Sequence, residues 1–235
     1  MGAQRAVRRG ARRAVPARVA PLDPPSPLEL LAAVGVCVLV MSGGYMLLAA
    51  RNAALLADGH AFWEPRLGVD ALIPFMPAWT WIYCTYFLAL LSLVVVARAD
   101  RAVMYEVLIA YCGTSLISFA CFALWPSRIP LPALDGCPGL GCSTLAFLNR
   151  MDGGFNLFPS LHVAQGLVVW LVVRRHLPAL AWPAGVLVIG IAVSTVLTKR
   201  HFVIDIPAGL ACGLLVYLAA RRWGGALARL TRRGR

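Results

Sequence analysis

The sequence is poor in charged residues, and lysine is almost missing from it. Only 14% of its 235 residues are charged, and Lys199 is the single lysine. With 60% hydrophobic residues and a mean hydropathy of +0.75, this composition excludes a soluble globular domain and a disordered chain, and it is typical of a polytopic membrane protein. The net charge of +12 is nearly all arginine, but no separate basic domain is present, so we expect no nucleic-acid partner.

The sequence has no Cys-x-x-Cys pair and so lacks the common zinc and redox signatures. Five of its seven cysteines lie in apolar runs, where cysteine acts as a small hydrophobic residue. The other two, Cys137 and Cys142, lie five residues apart in a glycine- and proline-rich loop. They could form a local disulfide on an oxidising side of a membrane or remain free thiols, and the sequence leaves both open.

Long apolar runs are what the sequence has in abundance. A bilayer core of about 30 Å is crossed by roughly 20 apolar residues of helix. Residues 51–78 mix charges, prolines and tryptophans, which predicts a segment lying in the membrane interface. We therefore predict an all-α polytopic membrane protein with six transmembrane helices and an interfacial segment before the second. The predicted spans are 28–50, 79–97, 104–124, 161–177, 180–198 and 203–220.

The basic residues predict how these spans are oriented. With six spans, sixteen of the 22 basic residues fall on the same side as both termini, and this bias places the termini in the cytoplasm of a multi-pass cell-membrane protein. We predict a disordered basic cytoplasmic tail over 1–27, a six-helix membrane catalytic domain over 28–222, and a basic cytoplasmic tail over 223–235. The arginines of both tails are expected to contact anionic lipids.

Two polar stretches, residues 158–162 and 198–205, open the fourth and sixth predicted spans on the extracytoplasmic side. His201 and Asp205 are four residues apart and share one face of a helix. A carboxylate there can fix the tautomer of the imidazole and leave its other nitrogen free as a nucleophile or general base. The alternative is a histidine at a helix end, paired with a carboxylate for solubility.

The first stretch offers an anion site and a general acid. Pro159 and Ser160 suit the start of a helix, whose free N–H groups attract phosphate. His162 lies in the first turn, where it could protonate a leaving oxygen or simply cap the helix. Three cations on the same predicted side, Arg128, Lys199 and Arg200, are candidates for binding phosphate oxygens. The alternative for each is that its side chain extends to the membrane interface.

These residues resemble a known family. Residues 158–164 and 198–205 resemble the second and third motifs of the type-2 phosphatidic acid phosphatase superfamily. Within it, they are most similar to the branch of inositol phosphorylceramide and sphingomyelin synthases, as is the pattern of residues 70–77 before the second span. The first motif of the superfamily, a lysine followed later by Arg-Pro, differs here. Only Arg128 is available, with Ile129 between it and Pro130.

The resemblance implies a six-helix core and a metal-independent reaction with no cofactor. It implies that His201 attacks phosphorus and becomes a phosphohistidine, Asp205 orients it, and His162 protonates the leaving alcohol. Ser160 is then expected to bind phosphate together with the cations.

We therefore expect an integral-membrane lipid phosphatase or phosphotransferase acting on a lipid phosphate. The motifs do not distinguish water from an alcohol as the acceptor, so a head-group transferase is an alternative, and they do not set an oligomeric state. A non-catalytic lipid or anion transporter is the alternative in another class, but transporters place polar groups near the membrane centre. A structural scaffold leaves both motifs unexplained. The loop 131–157 is interpreted as a lid, a binding loop or irregular chain, where Asp135, Asp152 and Asn156 could contact a head group.

Overall fold

The computed structural model describes residues 23–233, and this part of the chain is helical without a single strand. The predictions for residues 1–22 lie outside it. The first helix, α1 (Pro27–Val38), passes through a π-helical segment, Leu39–Gly43, directly into α2 (Gly44–Ala57). The helices are α1 Pro27–Val38, α2 Gly44–Ala57, α3 Thr80–Ala97, α4 Arg101–Leu124, α5 Leu140–Asp152, α6 Leu161–His176, α7 Ala181–Leu197 and α8 Asp205–Arg233.

Four helical segments are long and apolar enough to cross a membrane, and they indicate a membrane-embedded helical protein. They are Pro27–Ala57, Pro77–Ala97, Arg101–Leu124 and Pro178–Leu197. The six-span topology stays a prediction, since α6 has only 16 residues and α8 has a basic second half. Because α8 runs unbroken to Arg233, the predicted boundary at residue 222 falls inside a helix.

The predicted interfacial segment 51–78 consists of two different parts. Its first residues continue α2 to Ala57. The remainder is irregular, apart from two 3₁₀ turns at Gly68–Ala71 and Pro77–Trp79. The carboxylate of Asp70 holds the first turn in place by accepting from the backbone N–H of Leu67 at 2.7 Å and that of Val203 at 2.8 Å. This segment is therefore fixed to the chain between α7 and α8.

Helix α6 lies at the centre of the bundle, where it packs against α3, α4, α7 and α8. Its contact with α8 is especially close because glycines of α8 face it. A Cβ atom on Gly213 would lie 2.5 Å from the carbonyl oxygen of Ala164, and one on Gly209 would lie 2.6 Å from that of Ser160. These two glycines bring the start of α8 against the start of α6. The surrounding core includes Tyr86, Leu93, Val107, Ala110, Val168, Val172, Ile191 and Tyr217.

Helix α5 is a feature that the sequence interpretation missed, because residues 131–157 were expected to form a loop. Two of the glycines that suggested a loop are the boundaries of this helix. Gly139 precedes its first residue, and Gly153 ends it in the left-handed conformation at φ 62°. Leu145 is fully buried, and a disulfide with an S–S distance of 2.03 Å joins Cys142 to Cys137.

Candidate active site

His201 and Asp205 form a buried pair at the start of α8. The Nδ1 atom of His201 lies 3.0 Å from Oδ2 of Asp205, and the same oxygen accepts the backbone N–H of Phe202 at 2.9 Å. The side chains are 5% and 0% exposed, so this hydrogen bond is shielded from water. Since Nδ1 is engaged, Nε2 is the free nitrogen of His201.

His162 lies beside this pair, at the start of α6. Its ring centroid is 5.7 Å from that of His201. The rings of Tyr83 and Tyr86 each lie 4.5 Å from His162, centroid to centroid, and hold it between them. The structure thus brings together two histidines that are far apart in the chain. The close approach of α8 to α6 at Gly209 is what makes this possible.

A buried chain of hydrogen bonds fixes one of these tyrosines. The hydroxyl of Tyr86 donates to Oε1 of Gln165, and Nε2 of Gln165 donates to the hydroxyl of Ser115 at 2.9 Å. Ser115 in turn donates to the carbonyl of Tyr111 at 3.0 Å. Gln165 and Ser115 are fully buried. The orientation of His162 therefore depends on α3, α4 and α6 together.

A cavity of about 340 Å³, which we call the histidine cavity, lies next to both imidazoles. One part of its wall is polar and includes His162, His201, Arg200 and Asn156. The rest is apolar and comes from the first helical segment, α3 and α5. The apolar lining includes Met41, Met46, Phe87, Phe147, Leu148 and Met151. The cavity therefore combines a site for a charged group with a site for hydrocarbon.

Arg200 is the cation of this cavity, and α5 holds it in place. Its guanidinium donates to Oδ1 of Asn149 at 2.6 Å and forms a salt bridge with Asp152. Asp152 also accepts the hydroxyl of Tyr45 at 3.1 Å. Burial lowers the pKa of Arg200, but the neighbouring Tyr83, Asp152 and Tyr45 outweigh that effect and raise it above its ordinary value. Arg200 therefore remains charged inside the protein.

Several buried polar atoms around the histidines have no hydrogen-bond partner in the described structure. They include Oγ of Ser160, Nδ1 of His162, Nδ2 of Asn156 and Oδ1 of Asp205. Unpaired buried polar groups are costly and call for an explanation. Ser160 and Asn156 offer hydrogen-bond donors, and Arg200 offers positive charge, which together suit an anion.

The other predicted cations lie elsewhere. The ammonium group of Lys199 donates to the carbonyls of Asp70 at 3.2 Å and Ile73 at 2.5 Å, and it lines a second cavity rather than the histidine cavity. The guanidinium of Arg128 lies 5.7 Å from the ring centroid of Phe155 and lines neither cavity. Of the loop residues that could contact a head group, Asp152 and Asn156 line the histidine cavity, whereas Asp135 is exposed.

The PAP2 superfamily model matches residues 54–219, which is more than half of the chain. The chain belongs to the PAP2 superfamily. No curated protein and no solved structure matches it. Membership of the PAP2 superfamily supports a phosphatase or phosphotransferase type of function in this membrane protein, in agreement with the family that the two motifs resemble. The match includes both histidines and Asp205, while α1 lies outside it.

The sequence interpretation missed several residues of this candidate site. Tyr83 and Tyr86 are three residues apart on α3 and therefore share one face, but nothing in the sequence says that this face meets His162. Gln165 could have been identified from the sequence, because an amide side chain within an apolar helix needs hydrogen-bond partners. Tyr45 and Asn149 could not, since their roles arise only when α2 and α5 pack around Arg200.

Proposed function

We propose that this chain is an integral-membrane lipid phosphatase or phosphotransferase that acts on a lipid phosphate through a phosphohistidine at His201. The observation that carries the proposal is the 5.7 Å separation of the His162 and His201 rings beside a cavity that is polar on one side and apolar on the other. Hydrogen-bond reach is about 3 Å, so one phosphoryl group can contact both imidazoles. Water and an alcohol remain alternative acceptors, which keeps a head-group transferase within the proposal.

In the first step, Nε2 of His201 attacks phosphorus and a P–N bond forms. The P–O bond to the lipid alcohol breaks, and the leaving oxygen takes a proton from the imidazolium of His162. Asp205 stabilises the positive charge that develops on His201 as it forms the bond. In the second step, water or an alcohol gives its proton to His162 and attacks phosphorus, and the P–N bond breaks.

The phosphoryl oxygens become more negative as the reaction proceeds, and positioned donors lower the barrier by meeting that charge. Arg200 is the cation best placed for this role, because it lines the histidine cavity and is already oriented by Asn149. Asn156 lines the same cavity with an unpaired Nδ2. Ser160, whose buried Oγ has no partner in the described residues, is a further candidate for binding phosphate. Lys199 and Arg128 were also predicted to bind phosphate, but neither lines the histidine cavity.

The proposal places the site at the extracytoplasmic face, with both termini in the cytoplasm. The support is the distribution of arginine, of which the larger part flanks the cytoplasmic ends of the predicted spans. The apolar wall of the histidine cavity supports a lipid substrate, because it offers hydrocarbon contact directly beside the polar groups.

The experiment is a turnover assay in detergent with a chelator present, using a panel of lipid phosphates. We expect release of phosphate or exchange of a head group in the wild type, and loss of both in His201→Ala and His162→Ala. His60→Ala is the matched control, since His60 is exposed and lines neither cavity.

Unchanged turnover in either of the two active-site variants would rule out the mechanism. Movement of an intact lipid across the membrane without cleavage would favour a transporter. Loss of activity on adding the chelator would contradict the metal-independent reaction.

A further inference from the structure

Two buried asparagines form a hydrogen bond beside the histidine cavity. Nδ2 of Asn52, on α2, donates to Oδ1 of Asn156 at 2.9 Å. Asn52 is fully buried, and Asn156 is 3% exposed. A buried amide is costly unless its polar atoms have partners, so this bond accounts for one atom of each side chain. Asn52 also lies outside the residues that the superfamily model matches.

A cation lies at the outer end of this pair. Nη1 of Arg51, which is exposed, donates to Oδ1 of Asn52 at 3.2 Å. Arg51, Asn52 and Asn156 therefore form one chain of hydrogen bonds, which we call the amide relay. Its last atom, Nδ2 of Asn156, has no partner in the described residues, and Asn156 lines the histidine cavity.

The cation determines which way both amides face. The two ends of an asparagine amide have nearly the same shape, but the oxygen accepts hydrogen bonds and the nitrogen donates them. A guanidinium group can only donate, so Asn52 turns its oxygen to Arg51 and its nitrogen to Asn156. Asn156 in turn uses its oxygen to accept, which leaves its nitrogen free. The relay therefore ends in a hydrogen-bond donor, which suits an anion.

The backbone around Asn156 is held separately from the relay. Asn156 is in the left-handed conformation at φ 63°, which asparagine tolerates better than most residues. Before it, the carbonyl of Gly154 accepts the N–H of Ile129 at 3.0 Å. After it, the N–H of Leu157 donates to the hydroxyl of Ser127 at 3.1 Å. Since the backbone is fixed in this way, what the relay sets is the orientation of the amide.

We propose that Arg51 and Asn52 are positioning residues, which orient Asn156 as a phosphate-binding donor in the histidine cavity. This inference rests on the proposed function, because it takes the histidine cavity as the phosphate site. Hydrogen bonds in a chain polarise one another, so the charge of Arg51 strengthens the donor at the cavity end. A phosphoryl group held by Arg200 and the two imidazoles then accepts from Nδ2 of Asn156.

The test measures the dissociation constant of orthovanadate, a phosphate analogue that can adopt the geometry of the phosphoryl-transfer transition state. Calorimetry is carried out on the full chain in detergent. Asn52→Asp keeps the size of the side chain but only accepts, so the amide of Asn156 turns over and presents its oxygen to the anion. We expect the dissociation constant to rise about tenfold or more, as for the loss of a hydrogen bond to a charged group.

Ala53→Asp is the matched control for this variant. It adds the same charge at the next residue of α2, which is exposed and lines neither cavity. It should leave the dissociation constant unchanged.

A second pair of variants tests the relay from an exposed position, where the fold is not at risk. Arg51→Glu replaces the donor at the outer end by an acceptor, and it should weaken orthovanadate binding in the same direction as Asn52→Asp. Arg51→Lys still donates and should keep the wild-type affinity. Arg150→Glu, an equal change of charge at an exposed position of α5 that lines neither cavity, should also keep it.

Lipid phosphate turnover by the same preparations separates this test from that of the proposed function. If turnover requires His201 but orthovanadate binds equally well to Asn52→Asp, Arg51→Glu and the wild type, the relay is overturned and the proposed function stands. Equal weakening in Arg51→Glu and Arg51→Lys also overturns the relay, because the direction of its hydrogen bonds then has no effect. Orthovanadate binding that depends on the relay, without turnover of any lipid phosphate, supports the relay and overturns the proposed function.

Discussion

Asp205 contacts His201 through only one of its two carboxylate oxygens, and this contact is important for the proposed chemistry. Its Oδ2 atom faces Nδ1 of His201 and the N–H of Phe202, while Oδ1 has no partner in the described residues. A carboxylate in this position keeps the proton on Nδ1 and stabilises the charge that develops on the ring.

We predict that Asp205→Asn lowers kcat by about 10²–10⁴, because an amide can hold the wrong tautomer of His201. The measurement is kcat for the best lipid phosphate, together with the yield of acid-labile phosphoenzyme in a rapid quench. Asp58→Asn is the control, since Asp58 is exposed at the end of α2 and lines neither cavity. A variant that forms phosphoenzyme at the wild-type rate would remove the orienting role.

Arg200 and Arg128 were both predicted from the sequence to bind phosphate, and the structure distinguishes between them. Arg200 lines the histidine cavity and is held by Asn149 and Asp152, whereas Arg128 packs on Phe155 outside it. We predict that Arg200→Lys raises KM for the lipid phosphate about tenfold, since an ammonium group cannot replace a planar fork. Arg128→Lys should change KM less than threefold. The reverse order of the two effects would assign the phosphate to Arg128.

For individual residues, the sequence predicted the pair whose members are close together in the chain. His201 and Asp205 are four residues apart, and the structure has them hydrogen bonded, although His201 lies in the turn before α8 rather than on a helical face. The sequence did not predict Tyr83, Tyr86 or Asn149, because their contacts depend on how separate helices pack. Lys199 shows that closeness in the sequence is not enough. It lies two residues before His201, yet its ammonium group donates to the backbone carbonyls of Asp70 and Ile73 in the segment before α3.

The helices that position these residues were predicted from the sequence only in part. Their existence was predictable from apolar runs, and the ends of α3, α4, α6 and α7 agree with the predicted spans to within a few residues. Helix α5 was not predictable in the same way. Its flanking glycines and prolines indicated a loop, and its buried residues become a core face only once it packs against α3 and the turn Pro77–Trp79.

The close contact of α8 with α6 leads to a prediction about adding one methyl group at Gly213. We expect Gly213→Ala to lower the free energy of unfolding by about 1–3 kcal/mol, because its Cβ would overlap the backbone of Ala164. Activity should fall with it, since the contact sets the spacing of the two histidines. Gly35→Ala in α1, where the Cβ meets nothing within 4 Å, is the control and should be neutral or slightly stabilising. Thermal unfolding in detergent compares the two.

At the scale of the whole molecule, the length of α8 relates the histidines to the membrane. Helix α8 has 29 residues and is therefore about 43 Å long, which exceeds a hydrocarbon core of about 30 Å. It begins four residues after His201 and ends in a basic segment. The sequence predicts from arginine counts which end faces the cytoplasm, and the number of spans depends on α6, which is short, and α8, which is basic in its second half.

We predict that Arg150→Cys reacts with a membrane-impermeant maleimide in intact cells, whereas Arg222→Cys reacts only after permeabilisation. Both side chains are exposed, and they lie at opposite ends of the bundle in the proposed orientation. The wild type, with its own cysteines, gives the background. Labelling of Arg222→Cys in intact cells would invert the orientation and place the histidines on the cytoplasmic side.

The close glycine contact between α6 and α8 also limits how a substrate can reach the two imidazoles. At this contact backbone lies against backbone, so the two helices cannot move apart without changing the spacing of the imidazoles. The apolar lining of the histidine cavity includes Met46, Phe87, Phe147 and Met151, which are 49%, 56%, 60% and 49% exposed. Methionine side chains change shape at little cost. If the chain acts on a lipid as proposed, we expect the substrate to enter from the side, past these exposed methionine and phenylalanine side chains, because the glycine contact leaves no room for α6 and α8 to move apart.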